Sequence, residues 1–240
     1  MRIIICENYE ELSEKGAQFF ESQITLKPDS VLGLATGGTP VGLYKNLIKW
    51  NKEGRIDFSN VTSFNLDEYY PIAPDNDQSY RYFMNENLFD HINIDKTKTY
   101  VPDGLAKDPD AECARYEELL AQKGPVDIQL LGIGRNGHIG FNEPDTTLNA
   151  VTHITSLTES TIEANARFFD NITDVPTKAL TMGMGTILKS KKILMLVSGK
   201  EKHEVLCELL NDDISTSNPA TLLKVHPDVV IICDKAAYEG

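Results

Sequence analysis

One loop near the middle of the chain concentrates side chains that can move protons. His138 and Glu143 both lie in it, together with the amides of Asn136 and Asn142. An imidazole oriented by a carboxylate can accept and donate a proton near neutral pH. The alternative is that His138 only hydrogen-bonds within its own loop, and the residues alone leave both interpretations open.

A second candidate is a carboxylate that comes directly after an apolar stretch. Asp67 follows the run Val61–Leu66 and precedes Glu68 and Tyr69. A carboxyl group at the end of a strand can act as a general base when partial burial raises its pKa. Taken alone, the residue favours the ordinary alternative, a carboxylate that forms a turn or caps a helix.

A glycine-rich segment offers a place for an anion. Thr36, Gly37, Gly38 and Thr39 precede Pro40, which suits the first turn of a helix. Glycines allow a ligand to approach the backbone, and amides at a helix N-terminus attract phosphate. The segment lacks the Gly-Lys-Ser/Thr ending of a nucleoside triphosphate site. The alternative is a plain tight turn in which Thr39 caps the helix.

The charge balance restricts the partners. Twenty-three Lys and Arg against 36 Asp and Glu give a net charge of −13. Such a chain repels nucleic acid and anionic membranes, so a phosphate ligand would need a local cationic or amide-lined pocket. Lys202 and Arg167 are candidates for that role, although each one alone is typical of a solvated surface cation.

One motif match is rejected. Residues 132–137 fit the pattern Gly-x-Gly-x-x-Gly and follow an apolar run. A dinucleotide fingerprint should open a helix, whereas this segment continues to Pro144 without helical periodicity. We therefore predict no nicotinamide cofactor.

Short apolar runs alternate with helical patterns along the chain. Strands are predicted at Ile3–Cys6, Val31–Ala35, Val61–Leu66, Asp127–Ile133, Val151–Leu157, Ile193–Val197 and Val229–Cys233. Helices are predicted around Leu12 to Ile24, Pro40 to Gly54, after Ser79, and at Asp108–Gln122, Thr158–Phe169, from Thr186 and at Glu201–Leu210. This alternation predicts an α/β fold: a single Rossmann-like, doubly wound domain over residues 1–240, with a mainly parallel sheet flanked by helices.

In such a sheet, ligands bind at the carboxyl ends of the strands, near the point where the strand order reverses. The candidate segments Thr36–Pro40, Asp67–Tyr69, Gly134–Pro144 and Ser198–Lys202 each follow a different predicted strand. We therefore expect all four to meet in one crevice.

The remaining features indicate a cytoplasmic protein. No apolar run has the length of about 18 residues that a membrane span needs, and Met1–Cys6 is followed at once by acidic residues. The four cysteines are far apart and form no Cys-x-x-Cys pair, which is typical of reduced thiols and predicts no zinc site.

Taken together, four segments closely resemble the glucosamine-6-phosphate deaminase family. They are Leu34–Pro40, Asn65–Tyr69, Gly132–Pro144 and Ala179–Gly183, and the similarity runs in order from about residue 1 to 235. The resemblance implies a Rossmann-like fold that ribose-5-phosphate isomerase and 6-phosphogluconolactonase share. It implies conversion of glucosamine 6-phosphate and water to fructose 6-phosphate and ammonia in amino-sugar catabolism, without cofactor or metal.

The resemblance also implies roles for individual residues. Asp67 matches the base that takes the C2 proton and returns it at C1, and His138 matches the residue that opens the sugar ring. Glu143 and Asn136 match the partners of that histidine. The segment Thr36, Gly37, Gly38 and Thr39 matches part of the phosphate site, and Arg167 and Lys202 match its cations.

Two departures from the family pattern stand out. Asn136 occupies a position where many relatives carry Asp, and an amide does not offset an imidazolium charge. His153 and Thr155 stand where allosteric relatives place basic residues, and the C-terminus is short.

Two other functions remain as alternatives: 6-phosphogluconolactone hydrolysis or another sugar-phosphate isomerisation on the same fold, and a non-catalytic sugar-phosphate sensor. A sensor should carry a DNA-binding module, and no basic helix-turn-helix segment is present. The sequence does not decide between a monomer and a homo-oligomer.

Overall fold

The computed structural model describes residues 1–157, 162, 171, 175–211 and 213–240. Its strands are β1 (Arg2–Cys6), β2 (Val31–Leu34), β3 (Thr62–Asn65), β4 (Asp67–Tyr70), β5 (Thr99–Tyr100), β6 (Ile128–Leu131), β7 (His153–Ser156), β8 (Lys178–Thr181), β9 (Ile193–Val197) and β10 (Val229–Asp234). Its helices are α1 (Tyr9–Leu26), α2 (Val41–Lys52), α3 (Tyr80–Asn87), α4 (Pro109–Lys123), α5 (Met184–Ile187), α6 (His203–Leu210) and α7 (Lys235–Glu239). Short 3₁₀ helices cover Phe89–His91, Lys96–Lys98, Lys200–Lys202 and Pro219–Val225.

Seven strands form a parallel sheet in the order β1-β10-β9-β6-β2-β3-β5. Every residue of β2, β6, β9 and β10 is buried, as expected for strands covered on both faces. From β2 the chain winds outward through β3 to β5, and from β6 it winds the other way through β9 to β10. The strand order therefore reverses between β2 and β6, and the predicted doubly wound α/β fold is confirmed.

Side-chain caps fix where the longer helices begin. Asn8 accepts the amide of Glu11 at the start of α1, and Asp108 accepts those of Asp110 and Ala111 before α4. Ser79 accepts the amide of Tyr82 before α3, as predicted from the sequence. No helix in the described ranges is long and apolar enough to cross a membrane.

Two buried tyrosines hold the carboxyl ends of central strands. The hydroxyl of Tyr44 lies 2.6 Å from the carbonyl oxygen of Ala35, just after β2. The hydroxyl of Tyr116 lies 2.8 Å from the carbonyl oxygen of Asn65, at the end of β3. Both side chains are fully buried, so the loops that follow β2 and β3 start from rigid points.

A second, antiparallel sheet corrects part of the sequence prediction. Its order is β4-β8-β7, so the strand predicted over 151–157 belongs to this sheet and not to the parallel one. Strands β4 and β8 were not predicted, because β4 begins with two carboxylates that resemble a turn. Helix α5 starts two residues before Thr186 and is short. The helix predicted at 158–169 falls outside the described residues, Ile162 excepted.

Candidate active site

The four candidate segments follow β2, β3, β6 and β9, which are consecutive neighbours in the order β9-β6-β2-β3. The loop after β2 and the loop after β6 flank the point where the strand order reverses. This is the position at which doubly wound sheets bind ligands. The structure thus places the predicted segments at one edge of the sheet.

The imidazole of His138 lies directly on the backbone of Gly134. A Cβ atom at Gly134 would be 2.3 Å from the ring, so only glycine fits beneath it. Nδ1 of His138 is 3.4 Å from Oε2 of Glu143, just beyond hydrogen-bond distance, and it has no hydrogen-bond partner among the described residues. Such contacts between catalytic groups often shorten when substrate binds. The geometry therefore suits a histidine whose orientation is set by Glu143.

Asn136 makes hydrogen bonds with two groups next to the imidazole of His138. Its Nδ2 donates to Oε2 of Glu143 at 2.7 Å, and its Oδ1 accepts the backbone amide of His138 at 3.3 Å. The amide therefore orients the carboxylate and holds the turn of the loop.

Gly137, a second glycine in this loop, allows the side chain of Asn218 to lie close to the loop backbone. Gly137 has φ +84°, and a Cβ atom there would lie 2.1 Å from Oδ1 of Asn218. The amide of Ala220 donates to the carbonyl of Gly137 at 2.9 Å. Asn218 thus packs on the histidine loop from a segment 80 residues later in the chain. No local pattern could indicate this.

Asp67 is buried at the start of β4, with 6% of its surface exposed. No hydrogen bond to its carboxylate is found within the described residues. Burial, reinforced by the negative charge of Glu68, raises the pKa of Asp67 to about 8. A desolvated carboxyl without partners is a strong base when ionised, which fits the predicted role and not that of a turn or cap.

The carboxylate of Glu68 caps a helix. It accepts the amides of Tyr80 and Arg81 at the start of α3, at 2.8 and 2.9 Å, and the amide of Tyr69 at 2.9 Å. Burial raises the pKa of Glu68 to about 7, although these amides act in the opposite direction. This role of Glu68 could not be predicted from the sequence, because two of its three amide partners lie a full loop away.

The glycine-rich segment opens onto free space. Gly37 has φ +99°, and a Cβ atom at Gly37 or Gly38 would touch nothing within 4 Å. Helix α2 begins at Val41 with Pro40 as its N-cap residue and no side-chain cap, so Thr39 does not cap it. Because the loop is exposed and is not needed as a cap, it is available to a ligand.

A tyrosine on α1 supports this loop from the protein side. The hydroxyl of Tyr9 accepts the amide of Gly42 at 2.8 Å and lies 3.1 and 3.0 Å from the carbonyl oxygens of Gly38 and Thr39. A Cβ atom at Gly42 would be 2.9 Å from that hydroxyl. Tyr9 was not predicted from the sequence. Gly42 is the one residue in the sequence that indicates a close approach of another group to the backbone here.

Of the two predicted cations, Lys202 is placed and Arg167 lies outside the described residues. Nζ of Lys202 donates to the carbonyl of Ile133 at 2.8 Å, so the ammonium reaches from the end of β9 to the end of β6. It therefore lies one residue from Gly134, on which His138 rests. Positive charge at this point is what an anionic ligand in a chain of net charge −13 would need.

Comparison with known proteins agrees with this geometry. The model of the family "Glucosamine-6-phosphate isomerases/6-phosphogluconolactonase" matches residues 7–231. Proteins named glucosamine-6-phosphate deaminase from Halothermothrix orenii and Clostridium perfringens are 55% and 56% identical, over 99% of this chain and 98% of theirs.

Solved structures give the same result. A structure described as a monomeric glucosamine-6-phosphate deaminase superposes with a TM-score of 0.96 at 49% identity, covering 99% of this chain and 98% of that one. A 6-phosphogluconolactonase from Thermotoga maritima has a TM-score of 0.79 at 23% identity, covering 98% and 99%, and shares the fold. The chain therefore belongs to the glucosamine-6-phosphate isomerase/6-phosphogluconolactonase family.

Proposed function

We propose that this protein is a glucosamine-6-phosphate deaminase, which converts glucosamine 6-phosphate and water to fructose 6-phosphate and ammonia. Relatives of that name are 53–56% identical over nearly the whole chain, whereas the solved 6-phosphogluconolactonases are 21–23% identical. We also propose that residues 1–240 act as a single domain, since these relatives align from end to end.

The first step is opening of the sugar ring. His138 takes the proton of the anomeric hydroxyl and delivers it to the ring oxygen, which leaves a C1 aldehyde. Glu143 orients the imidazole, and Asn136 holds Glu143 through its 2.7 Å bond. A histidine suits this step because the same group must accept and then donate a proton near neutral pH.

The second step is isomerisation. Asp67 removes the proton at C2 while the aldehyde oxygen at C1 gains a proton, which gives an enolamine. Asp67 then returns its proton at C1 and the amine nitrogen loses one, so that C1 becomes a hydroxymethyl group and C2 an imine. Water adds to the imine and ammonia leaves, so that C2 becomes the ketone of fructose 6-phosphate. A carboxylate without hydrogen-bond partners is well suited to remove a carbon-bound proton, and no hydrogen bond from the described residues stabilises the ionised form of Asp67.

The phosphate is assigned to the loop after β2, between the histidine loop after β6 and Asp67 after β3. Thr36, Gly37, Gly38 and Thr39 would hold it with amides and hydroxyls, and Lys202 would supply a charge. We assign Arg167 to the same site on the family resemblance alone.

The observation that carries this proposal is the burial of Asp67 at the same sheet edge as the His138–Glu143 pair. Its test is release of ammonia and fructose 6-phosphate in equal amounts from glucosamine 6-phosphate, each measured by a coupled enzymatic assay. 6-Phosphogluconolactone and ribose 5-phosphate serve as controls for the two related activities. Turnover of either control with no ammonia from the amino sugar would contradict the proposal.

A further inference from the structure

Thr181 is a fully buried polar residue that has no part in the steps above. It ends β8, the central strand of the antiparallel sheet, and belongs to the motif Ala179–Gly183. In the register of that sheet Thr181 lies directly opposite Asp67 on β4. Side chains of directly paired residues point to the same face, about 5 Å apart at Cβ. Thr181 is therefore a neighbour of the base.

The end of β8 joins the two halves of the active site. The amide of Phe141, in the histidine loop, donates to Oγ1 of Thr181 at 3.1 Å. The amide of Met182 donates to the carbonyl of Leu66 at 2.8 Å, just before Asp67. Nδ2 of Asn142 donates to the carbonyl of Met182 at 2.8 Å. These bonds hold the loop with His138 and the strand with Asp67 against the same two residues.

Gly140 shows what Thr181 faces. This glycine has φ +58°, and a Cβ atom there would lie 2.9 Å from Oγ1 of Thr181 and 3.2 Å from Oδ2 of Asp67. The hydroxyl and the carboxylate thus border the same space beside the α-carbon of Gly140. Because the hydroxyl oxygen already accepts the amide of Phe141, its own proton is available to a second partner on that side.

We propose that Thr181 is a positioning residue: by accepting the amide of Phe141, its hydroxyl ties the histidine loop to the strand of the base, beside the Asp67 carboxylate. The proposal rests on the proposed function of the site. It predicts that removing the hydroxyl impairs proton transfer at C2 far more than substrate binding, since the phosphate segment lies on other elements.

Thr181→Val tests this because valine keeps the shape of threonine and removes the hydroxyl. We expect kcat for ammonia release, and the exchange of the C2 hydrogen with solvent deuterium, to fall about 10- to 100-fold, because valine leaves the buried amide of Phe141 without an acceptor. KM should stay within about twofold, and Thr181→Ser should recover most of the loss. The matched control is Thr186→Val, a buried threonine whose hydroxyl bonds to Glu117, which should keep wild-type kcat.

The outcomes separate the two proposals. Wild-type protein that releases no ammonia contradicts the proposed function, and this inference with it. With active wild type, unchanged kcat in a folded Thr181→Val contradicts the role of Thr181 alone, as does a Thr181→Ser variant that stays as slow as the valine variant. If the valine variant does not fold, Thr181→Ala is measured instead, and wild-type kcat in it overturns the proposal.

Discussion

Asp67 illustrates how a single residue is set up for chemistry at the expense of stability. The carboxyl group of Asp67 is buried and has no hydrogen-bond partner among the described residues. Burial disfavours its ionised form, so its pKa rises to about 8. In free enzyme the fraction of ionised base therefore increases through the neutral range. Log(kcat/KM) should rise with pH over this range, well above the pH at which ordinary aspartates ionise.

Replacing Asp67 with Asn keeps the shape of the side chain but removes the base. Loss of a general base costs about 10²–10⁴-fold in rate, so deamination should nearly vanish while substrate binding stays close to wild type. Exchange of the C2 hydrogen with solvent deuterium, followed by NMR, should vanish as well. Wild-type exchange in this variant would show that another group is the base. His138→Gln is the contrast, because sugar that opens spontaneously can still reach Asp67 and exchange there.

The same substitution should stabilise the fold at high pH. The native pKa of Asp67 lies above its unfolded value of about 4, so the native state binds more protons between pH 4 and 8 and the wild type loses stability as pH rises. Asn does not titrate. The Tm of Asp67→Asn should exceed that of wild type by at least about 2–4 °C at pH 8, corresponding to about 1 kcal/mol, and by less at pH 5. A constant difference across this range would contradict the buried-charge explanation.

Lys202 permits a matched test of the phosphate site. A charge-assisted hydrogen bond contributes about 1.5–3 kcal/mol, so Lys202→Ala should lower kcat/KM about 10- to 150-fold. Lys200→Ala removes an exposed lysine from the same 3₁₀ turn and should have little effect. Steady-state kinetics on both variants test this prediction. Equal losses of kcat/KM would indicate that the two lysines act through the overall electrostatic field of the chain, and not that Lys202 contacts the phosphate.

These residues differ in how visible they are in the sequence. Asp67, His138 and Glu143 stand in short motifs whose spacing suggests chemistry, so they could be chosen as candidates. Tyr9 and Asn218 act on loops that lie far from them along the chain, and no local pattern reveals such contacts. That Glu68 caps α3 could not be predicted either, since the capping position already had Ser79.

At the scale of elements, the central strands β2, β6, β9 and β10 of the parallel sheet were predicted because they are buried on both faces and their sequences are largely apolar. The two-residue strand β5 at the edge of this sheet was not predicted. The antiparallel sheet was not predicted, because its strands are short and carry charged residues. Strand β4 buries Asp67 and Glu68, and β8 is a four-residue strand that begins at an exposed lysine. The elements that break the usual sequence pattern are the strand that carries the proposed base Asp67 and the strand that pairs with it, as expected where function competes with stability.

The contact between α1 and the glycine-rich loop can be tested by Tyr9→Phe. This substitution leaves the amide of Gly42 without its acceptor and frees the carbonyls of Gly38 and Thr39, so the loop loses its support. One neutral hydrogen bond contributes about 0.5–1.5 kcal/mol, so KM should rise about 2- to 12-fold with little change in kcat. Tyr238→Phe, at an exposed tyrosine of α7, is the control. A fall in kcat at constant KM would argue against a role in phosphate binding.

At the scale of the whole molecule, we predict hyperbolic kinetics without activation by N-acetylglucosamine 6-phosphate. An effector must bind two states with different affinity, and the family resemblance implies that His153 and Thr155 stand where allosteric relatives carry basic residues. Initial rates against substrate concentration, with and without the acetylated sugar, test this. A sigmoidal curve that the acetylated sugar makes hyperbolic would contradict it.

The position of β1 has a consequence for biosynthesis. This strand lies at the edge of the sheet and hydrogen-bonds to β10. Its partner β10 lies 228 residues later in the chain, so at about 5–20 residues per second β1 waits on the order of ten seconds or more for it. During this time the apolar run Ile3-Ile4-Ile5 lacks the strand to which it hydrogen-bonds, which exposes it to chaperones and to neighbouring nascent chains. Strand β1 therefore pairs only after β10 has been synthesised, and it is among the last strands of the described sheet to become ordered.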